Sequence, residues 1–225
     1  AWVQFSKETK YSKINSINFN TFDNVIKKYS VFDGIYTKTY MIANMLNIMK
    51  ELNIRVGNEK YYEENESVGL CTLNKTHYKK IKNKSNECIY KFIFNGKKGV
   101  LHEKILHLNH VNFIENIITL PGKSLFKYEI NDTNNKKGKI IYKKVIADDL
   151  NRFLKEYIDK NMSCKDIRTY CANKIFKKEY VKMRKNGIHE KKARIEATKK
   201  TANELGNTIK VCRDSYIDPS LFNMK

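Results

Sequence analysis

The 225-residue sequence has no long apolar run. No stretch approaches the roughly 18 residues of a membrane-spanning helix, and nothing at its start reads as a signal peptide. Membrane and secreted readings are set aside on that basis. The five cysteines (Cys71, Cys88, Cys164, Cys171 and Cys212) are odd in number, form no CxxC and have no His partner at zinc spacing. A disulfide framework or zinc knuckle is excluded, and a reducing compartment fits best. Internal repeats, a linker, a P-loop and an acidic metal cluster are all absent from the sequence. Its 41% hydrophobic and 30% charged residues are those of a folded protein.

Negative charge is also in short supply. Twenty-four Asp and Glu face 44 Lys and Arg, leaving a net charge of +20. So much self-repulsion is held most readily when the partner is a polyanion, and nucleic acid is the leading candidate. An anionic membrane surface would need a basic amphipathic helix or a lipidation signal, and neither is evident. Only six of the cations are arginines, namely Arg55, Arg152, Arg168, Arg184, Arg194 and Arg213. Lys, Asn and Ile abound, as an AT-rich genome would produce, so each arginine carries information. Its planar fork grips phosphate in a way lysine does not.

Hydrophobic spacing predicts a mostly helical chain with a small antiparallel sheet, an α+β class. Residues 1–16 show little periodicity and read as a lead-in segment; the opening Ala1 suggests a processed chain or a piece of a longer one. A helix is expected from Thr21. A stronger one spans Thr37–Asn53, where Met41, Ile42, Met45, Ile48, Met49 and Leu52 repeat at helical spacing as a buried face. Val68–Leu73 reads as β-like, Cys88–Phe94 as a strand and Val100–Ile105 as its partner. Asn95-Gly96 provides a tight hairpin signal with Lys97 on the turn. Leu106–Leu120 reads as a helix closed by Pro121-Gly122, and Asn131–Lys139 as a polar loop. Ile146, Leu150, Phe153, Leu154, Tyr157 and Ile158 mark another helix. Ser163-Cys164-Lys165-Asp166 is a capping box that sets Arg168 early in the helix it opens. A last long helix runs from about His189 to Leu205 and stops at Gly206. Between Lys174 and Lys200 stand 11 Lys or Arg against three Glu, a basic stretch for solvent or for phosphate.

Three segments then stand out. Ile54-Arg55-Val56-Gly57-Asn58-Glu59-Lys60-Tyr61 continues through Glu63-Glu64-Asn65 to Val68-Gly69-Leu70-Cys71-Thr72-Leu73. Lys165-Asp166-Ile167-Arg168-Thr169-Tyr170 is followed by Ala172-Asn173. Leu205-Gly206-Asn207-Thr208 leads to Arg213-Asp214-Ser215-Tyr216-Ile217-Asp218-Pro219. In this order and spacing they resemble the catalytic domain of type IB DNA topoisomerases, of the compact sort found in poxviruses, other large DNA viruses and some bacteria. The resemblance covers the chain from about Asn20 to Pro219.

The resemblance implies the fold shared by tyrosine recombinases and type IB topoisomerases, with 1–225 as one catalytic domain. It implies Tyr216 as the nucleophile that forms a 3′-phosphotyrosyl link, Arg55 and Arg168 as the catalytic arginines, and Lys97 as the general acid. Asn207 stands where many members have His, which leaves a neutral hydrogen-bond donor there. Lys60, Tyr61, Lys165 and Arg213 match DNA-contacting positions. No cofactor is implied, and the partner is duplex DNA, engaged mainly through phosphates by a monomer. A small N-terminal domain that closes a clamp around DNA usually precedes this region. It is expected to be missing, with weaker and less processive binding as the consequence. A viral source would put the protein in the virion or at the site of viral DNA replication in the host cytoplasm, a bacterial one in the cytoplasm or nucleoid.

The chemistry of these residue types supports the same reading. An attacked phosphodiester gains charge on its non-bridging oxygens, and preorganised cations stabilise it, each donor contributing on the order of 10²–10³ in rate. A departing 5′-oxygen needs a proton, and Lys97, beside Lys98, is the candidate donor. A phenol, with an ordinary pKa of about 10, acts as nucleophile when cations stand near it. The covalent link conserves the phosphodiester's energy, so ATP and Mg²⁺ are not needed. A tyrosine recombinase would share this chemistry, but it usually carries His three residues before the second arginine, where this sequence has Lys165. A basic DNA-binding domain without catalysis would require the aligned Tyr, Arg and Lys to be coincidental. His77, His102, His107, His110 and His189 carry no assigned role, and the cysteines read as small hydrophobes.

Overall fold

The structure, a computed structural model, describes residues 2–131 and 140–224; the side chains of residues 2–8 and of Tyr61 lie outside the described set. Beyond Asn131, the expected polar loop falls outside the described residues. In chain order the helices are α1 (Trp2–Ser16), α2 (Phe19–Tyr29), α3 (Lys38–Leu52), α4 (Glu59–Asn65), α5 (Leu108–Ile117), α6 (Ala147–Tyr157), α7 (Cys164–Lys185), α8 (Glu190–Leu205) and α9 (Ile209–Ser215). The strands are β1 (Tyr78–Lys82), β2 (Cys88–Asn95), β3 (Leu101–Ile105), β4 (Lys127–Asn131) and β5 (Ile140–Lys144). Two compact units result: one from residues 19–161, the other from residues 1–18 with 162–225. Among the described residues no helix is long and apolar enough to cross a membrane.

In the 19–161 unit, α3 follows its sequence pattern closely. Thr37 caps it, its Oγ1 accepting the Tyr40 N–H at 3.1 Å, and Asn53 ends it in the left-handed region at φ 55°. Met41, Met45, Ile48 and Met49 are fully buried, each contributing roughly 1.5–3 kcal/mol by leaving water. Helix α6 turns Leu150, Phe153 and Leu154 inward, while Asp149 accepts the Ile146 N–H at 3.1 Å and pairs with Lys38 at 2.5 Å. Strands β1, β2 and β3 form an antiparallel sheet in that order, and β4 pairs with β5 as a separate antiparallel ribbon. Of these strands, the sequence pattern pointed to β2 and β3.

Two local expectations are corrected. Val68–Leu73 is not a strand: Leu70–Thr72 is a 3-10 turn, closed where the Gly69 N–H donates to Thr72 Oγ1 at 2.8 Å. The hairpin between β2 and β3 is not a two-residue Asn-Gly turn. Such a turn needs positive φ at both central residues. Here Asn95 remains in the strand, Gly96 has φ −89°, and the positive values fall on Lys98 (64°) and Gly99 (68°) of a Lys97–Gly99 turn.

In the second unit, the lead-in segment is helical from Trp2 to Ser16. Among its described side chains Tyr11 and Ile14 are buried one helical step apart. The Ser163–Asp166 capping box opens α7 as expected, with both Ser163 N–H and Oγ–H donating to Asp166 Oδ2. Helix α8 ends at Gly206 with φ 60°. Phe176, Tyr180, Ala193, Ala197, Ala202, Cys212, Ile217 and Leu221 form one buried cluster under the chain's C-terminal turns.

Candidate active site

Arg55 emerges two residues beyond the left-handed end of α3, and its backbone is held by the turn that follows Gly69. The Leu70 N–H donates to Arg55 O at 2.7 Å and the Cys71 N–H to Val56 O at 2.8 Å. The two segments touch through glycines. A Cβ on Gly69 would stand 2.5 Å from the Gly57 backbone and 2.8 Å from Arg55 O; Gly57 itself needs φ 77°. The sequence therefore fixes where Arg55 leaves the core by bringing two bare backbones together.

Arg55 lines a cleft of about 710 Å³ that Lys97, Lys98, Asn58, Asn65 and Asn151 also line. The unit thus brings Arg55 and Lys97 to one cavity. Lys97 is exposed on a loop pinned by the Gly96 N–H donating to Val100 O at 2.8 Å. Beneath that loop the His102 ring stacks on Phe94, 5.1 Å between centroids, and fills the space where a Cβ on Gly96 would go. His102, given no role from sequence, shapes the Lys97 loop. Lys60 is exposed on α4, its Nζ 4.0 Å from Glu64 Oε1, and a Glu59–Lys144 ion pair ties α4 to β5. Tyr61 lies on α4 with its side chain outside the described residues.

In the other unit, Arg168 sits in the second turn of α7 and is only 3% exposed. Its Nη2 donates to Leu205 O at 2.8 Å, at the end of α8 and two residues before Asn207. The guanidinium carbon stands 5.4 Å from the centroid of the Tyr216 ring. A buried charge is tolerated only with close polar partners. Here it is retained beside a phenol that is itself half-exposed. Below them the Cys212 thiol is pushed up to about 12 by burial, against the lowering pull of Arg168. It remains a packed, protonated group.

Tyr216 follows α9 directly, and its backbone is gripped on both sides. Its N–H donates to Cys212 O at 2.9 Å. Its carbonyl accepts from Asn173 Nδ2 at 3.2 Å, while Asn173 Oδ1 accepts the Asp218 N–H at 2.7 Å. One amide in the middle of α7 thus clamps the turn on which Tyr216 stands, and it also bonds Thr169 O at 2.8 Å. Ile217, fully buried, anchors the next position. Sequence reasoning gave Asn173 no role. The available signal was an asparagine inside a long helix, a place that residue disfavours unless its side chain has other work. Asn207 is half-buried after the α8 cap, Lys165 is exposed in the first turn of α7, and Arg213 is exposed with Nε 3.1 Å from Asp214 Oδ1. Among the described residues no three His, Cys, Asp or Glu side chains gather as a metal site requires.

Cations mark both units: a guanidinium and two ammoniums around a cleft that the Asp148 carboxylate also lines in one, a phenol against a buried guanidinium in the other. Comparison with known proteins matches the pattern. The family described as "Eukaryotic DNA topoisomerase I, catalytic core" matches residues 2–221. The chain is 31% identical over 188 residues to the DNA topoisomerase 1B of Acanthamoeba polyphaga mimivirus, covering 81% of this chain and 54% of that protein. It is 26% identical over 210 residues to the DNA topoisomerase I of Monkeypox virus and to the DNA topoisomerase 1B of Vaccinia virus, covering 89% of this chain and 60% of each. It therefore spans a little over half the length of these relatives. With the family matched from α1 to the last turn, the chain belongs to the DNA topoisomerase I family, in its type IB branch.

Proposed function

We propose that this chain is a catalytic core that relaxes positive and negative supercoils by transiently cutting one strand of duplex DNA, without ATP or a metal. The observation that carries the reading is the backbone-clamped Tyr216 facing the buried guanidinium of Arg168 at 5.4 Å. In the proposed reaction Tyr216 Oη gives its proton to water and attacks a backbone phosphorus, the P–O5′ bond breaks, and a 3′-phosphotyrosyl bond forms. Lys97 delivers a proton to the departing 5′-oxygen. Arg55, Arg168 and the Asn207 amide bond the non-bridging oxygens, whose charge grows in the transition state. Free rotation of the 5′ end releases supercoils, and the 5′-hydroxyl then attacks phosphorus, restoring the strand and freeing Tyr216.

Lys60, Tyr61, Lys165 and Arg213 are proposed to contact duplex DNA near the cut, by one protein monomer per site. With ~6–10 phosphates contacted, affinity is expected to fall ~10³–10⁵-fold between about 50 and 200 mM salt. The viral relatives support a viral source and a role where viral DNA is replicated or packaged.

The test is relaxation of supercoiled plasmid in EDTA without ATP, comparing the chain with Tyr216→Phe. Relaxation that disappears in the variant, together with loss of a covalent protein–DNA adduct, is the expected result. Exchange between paired sites in place of relaxation would move the assignment to a recombinase. Relaxation that survives in Tyr216→Phe would overturn the reading.

A further inference from the structure

Tyr216 has a second cationic neighbour, contributed from the opposite end of the chain. On α1, Lys10 Nζ donates a hydrogen bond to Ser215 O, the carbonyl immediately before Tyr216. The same ammonium stands 5.8 Å from the centroid of the Tyr216 ring. Helix α1 is fixed in this position by its neighbouring residues. Tyr11 and Ile14 are buried, only 4% and 3% exposed. One turn beyond Lys10, Lys13 Nζ bonds Asp166 Oδ2 at 2.8 Å. That carboxylate also closes the capping box of α7, two residues before Arg168. α1 is therefore tied to the start of the arginine helix and to the tyrosine turn by adjacent lysines on one face.

We infer that Lys10 is a positioning residue for Tyr216, an inference that rests on Tyr216 being the nucleophile proposed above. Its bond to Ser215 O completes the grip on the tyrosine turn. Asn173 holds the Tyr216 carbonyl and the Asp218 N–H from one side, and Lys10 holds the preceding carbonyl. Its charge also has a direct effect. As Tyr216 Oη gives up its proton and bonds to phosphorus, negative charge passes through the ring, and a cation facing that ring is attracted to it. Lys10 and Arg168 would act together, from segments more than 150 residues apart in sequence. Lysine is required for its charge and its reach; a neutral side chain of similar length would pack on α1 but do neither.

The experiment measures single-turnover formation of the covalent adduct on a nicked duplex, with protein in excess, for the whole chain and for Lys10→Met, Lys10→Arg and Tyr216→Phe. Duplex affinity and melting temperature are measured on each. The expected result is that Lys10→Met cleaves about 10–100-fold more slowly at saturating protein, with little change in affinity or melting. Lys10→Arg should recover most of the rate. Three results would overturn the inference: Lys10→Met cleaving at the parent rate, a loss that tracks weaker affinity and a smaller salt slope as a phosphate contact would, or a loss that Lys10→Arg does not recover. If the parent chain forms no Tyr216-dependent adduct, it is the proposed function that fails, and this inference falls with it. If the adduct forms and Lys10 is irrelevant, only the inference fails.

Discussion

The two units position their functional side chains by different means. In the 19–161 unit, Arg55 and Lys97 are placed by backbone: two glycines in contact, a 3-10 turn and a short loop, with the side chains opening into a cleft. In the other unit, Arg168 and Tyr216 are placed by side chains: a buried guanidinium on a helix-end carbonyl, an asparagine amide spanning a turn, and a capping carboxylate shared with Lys13. The first arrangement leaves cations at a cavity rim, where a phosphate can reach them. The second holds a phenol against a desolvated charge. Substitutions should therefore fail for different reasons in the two units, through crowded backbone in one and lost polar partners in the other.

The largest effect is expected where position matters least and chemistry most. Lys97→Met should leave folding intact, because the side chain is exposed. It should lower strand cleavage by about 10²–10⁴-fold, the range for loss of a general acid. A substrate with a 5′-bridging sulfur, a better leaving group, should recover most of that loss. Lys98→Met, on the same cleft, should show no such recovery. Recovery that follows Lys98 would transfer the acid role to the neighbouring residue.

Gly69→Val tests the backbone half of the comparison. The added Cβ would meet the Gly57 backbone at 2.5 Å, and backbone cannot swing aside as a side chain tip does. Overpacking of this kind costs about 1–3 kcal/mol, readable as a lower melting temperature. Displacing Arg55 by an ångström is expected to cost about 10²-fold in cleavage. If the variant is less stable but cleaves normally, the glycine contact serves the fold and not the arginine.

Asn173→Ala probes the side-chain half. It removes the donor to the Tyr216 carbonyl and the acceptor of the Asp218 N–H, about 1–3 kcal/mol of polar contact left unsatisfied. Cleavage should fall about 10–10²-fold while duplex affinity is kept. Asn173→Asp should not rescue, since a carboxylate cannot donate to the Thr169 and Tyr216 carbonyls that the amide now serves. Parent-like rates in Asn173→Ala would mean that Lys10, Ile217 and the Tyr216 N–H hold the turn without it.

What the sequence disclosed follows the same division. Local signals were legible: the periodic face and approximate bounds of α3, the capping box of α7, and the glycine stop of α8. The candidate arginine and tyrosine positions stood out through their order and spacing, since short motifs survive as contiguous letters, whereas Lys97 was singled out by its place beside the Asn95-Gly96 hairpin signal. Relations across long separations were not legible. Nothing adjacent to Gly57 announces its contact with Gly69, and Lys10 and Lys13 lie in a lead-in segment whose weak periodicity marks neither of their contacts with Ser215 and Asp166. Strands β4 and β5 are short and polar, and the register that pairs Ile130 with Ile141 and Glu129 with Tyr142 joins residues ten or more positions apart, so neither carried a clear alternation alone. The hairpin misled because Asn95-Gly96 has the letters of a tight turn, whereas His102 packed over Gly96 moves the bend to Lys98 and Gly99.

The smallest expected effect contrasts two buried cations. Lys127, 5% exposed, donates to Leu120 O at 3.3 Å, to Gly122 O at 3.1 Å and to Pro121 O, holding the turn after α5. Burial, and then Lys75 alongside it, lowers Lys127 to about 8. In the unfolded chain the same ammonium returns to the ordinary lysine value near 10.5. Between pH ~8 and ~10.5 the unfolded state therefore binds more protons, and on this group's account the unfolding free energy rises with pH across that window, by at most a few kcal/mol. Below pH ~8 both states are protonated and the slope vanishes. Lys127→Met should lower the pH slope in a series of denaturant melts taken from pH 7 to 10.5, most cleanly between pH ~8 and ~9. Above the ordinary thiol value Cys71 and Cys212, pushed up to about 12 by burial, add a slope of opposite sign. Arg168 in the other unit is as deeply buried, but a guanidinium keeps its proton throughout that range. Arg168→Met should therefore leave the slope unchanged. A slope from pH ~8 to ~9 that Lys127→Met leaves unchanged would assign the titration to another group and remove the contrast.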